Sequence, residues 1–397
     1  MAANPRSPLS ASGVLGLTGR VTGQDEAPVL RTADLRLDGR PLPVRSPARI
    51  YVCGITPYDV THLGHASTFV WADLLGSVLR ATGVEVVTSR NVTDVDDVLT
   101  RAADARGRHY DEFALSQEFA FEQDMRALGV RVPTHEPRAR HHVVHVQQLA
   151  AALLKADRAY LREGHVFFRA GDVAGTTGLD DAAARQLSAE FGDTPEDPLR
   201  ESPFDVPVWR PSGETDPAWP SPWGWGRPGW HAECAAMAHA TLGAGIDVLV
   251  GGEDLRFPHH AQQAAMAEAA SGVAPFARVQ WHIGAVRQNG AKMAKSTGNL
   301  TLVSDLLRDS SGPALRVLLL DRPARDSWEF RPELLADADA RLDALFSAAG
   351  RPGSSAAAED AVTDRLLDDL DVHGALDIAV TEGGDVARSL VRVLSLG

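Results

Sequence analysis

Lysine is almost missing from this chain. Of its 39 basic residues only three are lysines, Lys155, Lys292 and Lys295, and arginine supplies the rest. Positive charge as a whole is also short: 53 Asp and Glu leave a formal net charge of −14. That balance argues against the broad basic face that a duplex or tRNA footprint requires, so no nucleic-acid partner is expected. Cysteine is scarcer still, with Cys53 and Cys234 alone. In a reducing compartment two thiols are buried hydrophobes, metal ligands or nucleophiles rather than a disulfide. No apolar run approaches the length of a membrane span. The opening MAANPRSPLSASG lacks the basic-then-apolar order of a signal peptide. The expectation is a cytoplasmic protein with no membrane association, and a monomer.

What is present suits a soluble globular protein: 397 residues, 44% hydrophobic and 23% charged, enough for two or three lobes around a substantial core. Residues 1–47 are rich in Pro, Gly and Ser, with one strand pair near VLRTADLRLDG, and read as an arm on the main body. RIYVC is a short strand stopped by Gly54 and Pro57. His65 to Arg80 carries apolar residues at helical spacing, Gly83 ends it, and VEVVTS is a second strand. Strand, helix, strand at this spacing predicts a parallel βαβ unit. EFALSQEFAFEQDMRALG reads as a helix. The Pro-, Gly- and Trp-rich span from Glu190 to His231 reads as loop. GIDVLVGG is another buried strand, and HHAQQAAMAEAAS a helix. From about 313 the pattern is helical, with DRLLDDLDVHGALDIAV as one such segment and a break near 351–356. The plan is a split α/β domain with an insertion, ending in a helical bundle.

Three constellations carry chemistry. His62-Leu63-Gly64-His65 falls where a loop enters a helix, and a helix N-terminus offers unpaired N–H groups to phosphate. The two imidazoles can donate to phosphate oxygens, or they can simply face solvent. NGAKMAKSTGNL, residues 289–300, holds two of the three lysines between glycines. A surface turn is the ordinary reading of such a segment. The scarcity of lysine elsewhere favours a compact, movable ammonium for a departing pyrophosphate. Third, Cys53, Cys234 and His259 form a donor set for zinc with an open fourth position, or two core cysteines plus a histidine. Spacing leaves both readings open.

Taken together, HLGH and KMAKS resemble the two signature motifs of the class I aminoacyl-tRNA synthetases. YVCGITPYDVTHLGHA, RNVTDVDD, GRPGWHAECAAMA and GGEDLRFPHH resemble the cysteine-specific branch. Within that branch the chain is more similar to the mycothiol ligases than to the tRNA-charging enzymes. Only about a hundred residues follow Ser296, the chain is acidic, and Gln263 stands where the synthetases place a carboxylate zinc ligand.

The resemblance implies a class I synthetase-type Rossmann nucleotide-binding domain in two halves, 48–126 and 223–286. A connective insertion would span 127–222, the signature loop and its continuation 287–312, and a C-terminal helical bundle 313–397. It also implies an ATP-dependent, tRNA-independent ligase that activates L-cysteine as an adenylate and passes it to the amine of glucosaminyl-inositol. ATP would come with Mg2+, and one zinc would be held by Cys53, Cys234 and His259. His62, His65, Lys292 and Lys295 would serve the phosphates. The adenylate pocket would use Cys53, Gly54, Ile55, Thr56, Thr68, Asn91, Val92, Thr93, Trp230, Gly252, Glu253, Asp254 and the backbone at Val286.

Four departures from the family pattern bear on the acceptor side. Ala294 stands for a serine, Val250 and Glu253 alter a glycine-rich stretch, and Ala261 replaces a glutamate after the histidines. A paralogue acting on a different amine would show such changes. A tRNA synthetase or a non-catalytic descendant would be the further alternatives.

Overall fold

A computed structural model describes residues 35–58, 61–214, 216–293 and 298–397. Most of the N-terminal arm therefore lies outside the described residues, as does Lys295. The part of the arm that is described forms a two-residue hairpin, Arg36–Leu37 with Arg40–Pro41.

The centre is a four-stranded parallel sheet. Its strands are β1 (Ala48–Ile55), β2 (Val86–Val92), β3 (Ile246–Gly252) and β4 (Ala277–Ile283), in the order β4-β3-β1-β2. Helix α1 (Leu63–Ala81) follows β1. The chain returns through α2 (Trp230–Leu242) into β3, and α3 (Ala261–Ser271) links β3 to β4. The central position of β1 follows from its composition: Ile50, Tyr51 and Val52 are β-branched or aromatic and all buried, so both faces of the strand are covered. Ile50 and Val52 pack with Phe69, Val70 and Leu74 of α1, whereas Tyr51 and Cys53 pack with Met237 and Ala238 of α2. Alternation along one strand thereby sends Cys53 to the α2 side.

Between β2 and α2 the chain forms helices Tyr110–Ala127 and Val143–Lys155 and a four-stranded antiparallel sheet. Its strands, in order, are Ala159–Arg162, His165–Phe168, Val206–Pro211 and Gly226–Pro228. The last two come from the Trp- and Pro-rich span expected to be loop. Pro207 lies in an inner strand beside a register shift in its pairing with His165–Phe168, Pro211 and Pro228 end their strands, and Trp209 is fully buried. The sheet shares one apolar core with Ala232 and Ala235 of α2 and Met266 of α3.

The C-terminal helices are Gly312–Leu320, Glu333–Ala349, Ala356–Leu367, Val372–Glu382 and Gly384–Val393. The stretch read as one helical segment around Leu370 is broken, because Asp369 and Leu370 both take positive φ near 55° and end one helix before the next begins. These helices pack on α1 in a single core. At that junction Arg316 is fully buried. It pairs with Asp73 of α1 and donates to the Leu128 carbonyl at 3.0 Å and to the Leu394 carbonyl at 2.5 Å. No helix among the described residues is long and apolar enough to cross a membrane.

Candidate active site

His62 is the residue before α1. It has extended backbone and makes no side-chain cap, and its imidazole stacks on that of His65 with centroids 3.8 Å apart. Gly64 lies beneath the pair; a methyl added there would sit 3.0 Å from the His62 ring. The Nδ1 of His62 is buried without a partner. Burial first, then His65 and Lys292, lowers its pKa to about 3. The imidazole is therefore neutral at pH 7, and toward an anion it acts as an N–H donor rather than a cation.

The sign of the pH effect follows. Between about pH 3 and 6.5 the unfolded chain holds a proton on His62 that the folded chain does not, so stability rises with pH through that window and levels off above it. His62→Gln should flatten part of that slope. Between pH 6.5 and 4.5 urea denaturation should show the variant losing about 1–2 kcal/mol less than the parent. An unchanged slope would mean that the imidazole is charged in the fold.

The lysine-bearing segment returns to this helix entrance. Strands Val286–Gln288 and Ala291–Lys292 pair across Asn289-Gly290, whose φ values are 56° and 77°. Asn-Gly with two positive φ angles is the favoured two-residue hairpin turn, and that dipeptide was the signal by which the hairpin could have been foreseen. The Asn299 side chain donates to the carbonyls of Gln288, Ala291 and Lys292. Leu63 N–H donates to the Thr301 carbonyl and Val303 N–H to the Thr61 carbonyl. Both signature motifs are thus tied at their bases. Lys292 reaches over the end of β3 and pairs with Asp254 at 2.5 Å.

The third constellation also meets. Cys53 ends β1, Cys234 lies one turn into α2, and His259 lies in the helical turn Arg256–His260 ahead of α3. Their ligand atoms all lie within 4.8 Å of one another, and all three residues are buried. Tetrahedral zinc sets ligands roughly 3.3–3.8 Å apart, so small shifts would close the set on an ion. The donor chemistry also fits. Burial pushes the Cys53 thiol up and keeps His259 neutral, so in the absence of metal no charge is stranded.

His231 Nδ1 meets His259 Nδ1 at 2.9 Å, which leaves the other His259 nitrogen for a metal. Trp230 stacks on the His259 ring with centroids 4.2 Å apart. His260 Nε2 lies 3.2 Å from Cys53 Sγ, and His260 Nδ1 lies 3.0 Å from His282 Nε2. This four-histidine group, His231, His259, His260 and His282, was not assembled from the sequence, since its members come from three separate segments.

The other expected pocket residues divide. Thr68, Gly252 and Asp254 cluster at the end of β3: a methyl on Gly252 would lie 2.5 Å from Asp254 Oδ1 and 3.9 Å from Thr68 Oγ1. Gly54 N–H donates to Asn91 Oδ1 at 3.0 Å, Asn91 Nδ2 to Thr93 Oγ1 at 2.8 Å, and Thr93 N–H to the Ile55 carbonyl. Asn91 and Thr93 thereby brace the ends of β1 and β2. Val92 is buried, Ile55 and Thr56 are half-buried beside it, and the Val286 carbonyl is taken by Met293 N–H. Glu253 accepts from Ser327 at 2.8 Å.

The sequence profile described as "tRNA synthetases class I (C) catalytic domain" matches residues 43–340. An L-cysteine:1D-myo-inositol 2-amino-2-deoxy-alpha-D-glucopyranoside ligase of Thermobispora bispora is 40% identical over 355 residues, 87% of this chain and 88% of the relative. The ligase of that name from Streptomyces griseus subsp. griseus is 42% identical over 380 residues, 92% and 90% of the two chains. Among solved structures, Mycobacterium tuberculosis methionyl-tRNA synthetase in complex with methionyl-adenylate superposes with TM-score 0.63 at 16% identity. That match covers 87% of this chain and 82% of the other, a likeness of fold. A parallel sheet with helix-end histidines, joined to this degree of identity over nearly the whole length, places the chain in the class I (C) synthetase family, among the L-cysteine:1D-myo-inositol 2-amino-2-deoxy-alpha-D-glucopyranoside ligases.

Proposed function

We propose that this protein activates L-cysteine with ATP and joins its carboxyl carbon to an amine, the acceptor being the 2-amino sugar of the inositol glycoside named for its relatives. The observation that carries the reading is the buried meeting of Cys53, Cys234 and His259. In the first step a cysteine carboxylate oxygen attacks the α-phosphorus of Mg-ATP, and the bond to the β-phosphate breaks to release pyrophosphate. In the second the amine nitrogen attacks the acyl carbon, the bond to the phosphate oxygen breaks, AMP leaves and the amine sheds a proton.

Zinc on the three ligands would supply a Lewis acid that holds the substrate sulfur as thiolate, which serine cannot match. The chain's own residues do the rest. Neutral His62, with His65 and the α1 N-terminus, donates N–H groups to the phosphates. Lys292 exchanges its pairing with Asp254 for the departing pyrophosphate, which frees the Asp254 carboxylate for substrate hydroxyl or ammonium groups. Lys295 joins it in this reading. Trp230, stacked on His259, walls the cysteine side chain. The glycosidic acceptor is neutral apart from its amine and needs no basic footprint, in keeping with the net charge of −14.

The test is cysteine-dependent exchange of labelled pyrophosphate into ATP by zinc-replete protein, followed by addition of the amino-sugar inositol. Exchange and then an amide product is the expected result. Exchange without amide would assign the site to a different amine, and no exchange would overturn the proposal.

A further inference from the structure

Among the buried polar groups near Cys53, Cys234 and His259 that have no role in the scheme above are Gln263 and Tyr51. Gln263 lies one turn beyond His259 on the same face of the helix, and it is fully buried. Its Oε1 faces Cys53 Sγ at 3.6 Å, while its Nε2 has no partner. Tyr51, two residues before Cys53 on the same face of β1, is also fully buried, packed among Cys53, Cys234 and Met237, and its hydroxyl has no close hydrogen-bond partner and lies near Cys234. Unpaired donors are costly in a protein interior and call for an explanation.

Both are explained once the two sulfurs bind metal. A coordinated cysteine has lost its proton, so Cys53 can no longer donate to Gln263 Oε1 and two electron-rich atoms would face each other. Half a turn of the amide exchanges its oxygen and nitrogen and aims an N–H at the sulfur. His260 offers Cys53 a second donor: if its Nε2 carries the proton, its Nδ1 accepts from His282 Nε2–H, and both rings stay neutral. The Tyr51 hydroxyl neighbours Cys234 in the same buried cluster.

We propose that Gln263 and Tyr51 are positioning residues for the metal: Gln263 Nε2–H donates to the Cys53 thiolate and Tyr51 O–H to the Cys234 thiolate. Gln263 then adds no ligand of its own, and the fourth coordination position stays open for the substrate sulfur. The inference rests on the zinc reading proposed above.

The experiment compares the parent with Gln263→Leu and Tyr51→Phe, each checked for folding by circular dichroism and thermal melting. Zinc affinity is measured by competition with a chromophoric chelator, and the cobalt-substituted proteins are followed by absorption. Each folded variant should bind zinc about 10- to 100-fold more weakly and show a shifted thiolate-to-cobalt charge-transfer band. In the parent, adding L-cysteine should intensify that band as a third sulfur enters.

Affinities and bands matching the parent in both variants would reduce the two side chains to packing and overturn the proposal. A parent band that does not respond to L-cysteine, with affinity lost only in Gln263→Leu, would make Gln263 a ligand and overturn it as well. A parent that binds neither metal would instead sink the zinc reading itself, a distinct failure. Should either variant fail to fold, Gln263→Asn and Tyr51→His, which keep a donor at a changed distance, must give intermediate affinity; affinity equal to the parent's would again overturn the assignment.

Discussion

Cys234→Ser should emerge from purification without zinc and should lose cysteine-dependent pyrophosphate exchange by three orders of magnitude or more. Among the described residues Cys53, Cys234 and His259 bring their ligand atoms within 4.8 Å of one another, and Cys234 comes from α2 while its partners come from β1 and the turn before α3. With one thiolate removed, a serine hydroxyl would have to ionise in a fully buried place, and a neutral alcohol is a poor zinc ligand. A structural zinc site in a small domain contributes on the order of 10 kcal/mol. Most of that is lost when two ligands remain. Fold and loss of metal are separable here, because serine is nearly isosteric and Cys234 lies in a core that also holds Met237, Leu242 and Phe276. Elemental analysis, the melting curve and the exchange rate together decide the matter. A variant that keeps one zinc per chain would refute the site.

Gly54→Ala should be nearly as damaging, and for a different reason. A methyl group at Gly54 would lie 1.8 Å from the Asn91 carbonyl oxygen and 2.9 Å from its carbon. Both atoms belong to the backbone of β2, which is fixed on its other side by Val92 N–H to the Pro137 carbonyl. No rotamer change relieves such a clash, so the ends of β1 and β2 must part. That breaks the Gly54 N–H bond to Asn91 Oδ1 and displaces Cys53, the neighbouring residue. The expected cost is about 3 kcal/mol or more, at the upper end for overpacking, and zinc content should fall with the melting temperature. Gly290→Ala is the matched control. It has nothing within 4 Å of the added methyl and only its φ of 77° to strain, at a cost of about 1 kcal/mol. A Gly54→Ala protein that melts with the parent and retains its metal would show that the strand ends spread freely.

The sequence made some layers of this structure legible and hid others. Local periodicity sufficed for β1, α1 and β3, because their burial is continuous and punctuated by Gly54, Gly83 and the Gly251-Gly252 pair. It failed for strands Val206–Pro211 and Gly226–Pro228, where proline and glycine read as loop while tertiary contacts supplied the pairing. It failed again at Asp369 and Leu370: aspartate enters a left-handed backbone more readily than most residues, but leucine gives no such signal, and both take it here. The corner where Cys53, Cys234 and His259 meet stood between these cases. These three could be offered as a donor set from their residue types, but spacing left core cysteines as the other reading and only likeness to a family favoured zinc. Their convergence is a property of the sheet order, and so are the surrounding histidines and the unpaired Gln263. The pairing of Lys292 with Asp254 was invisible in the same way: each side chain had been assigned to substrate, and the structure joins them to each other.

The burial of Arg316 limits how such a chain could be rearranged. Its guanidinium serves Asp73 of α1, the carbonyl after helix Tyr110–Ala127, and the Leu394 carbonyl. Three parts of the molecule thus share one charge that no water reaches. Removing Asp73 leaves an uncompensated ion in an apolar interior, at a cost of about 3–5 kcal/mol, and removing either carbonyl leaves a buried guanidinium N–H without its acceptor. The terminal helices therefore cannot be traded for another module, or trimmed away, as one would exchange a tethered domain. A chimera that keeps the signature motifs but grafts on a foreign tail should melt below the parent unless the graft supplies an acceptor in place of the Leu394 carbonyl, or Arg316 and Asp73 are replaced together.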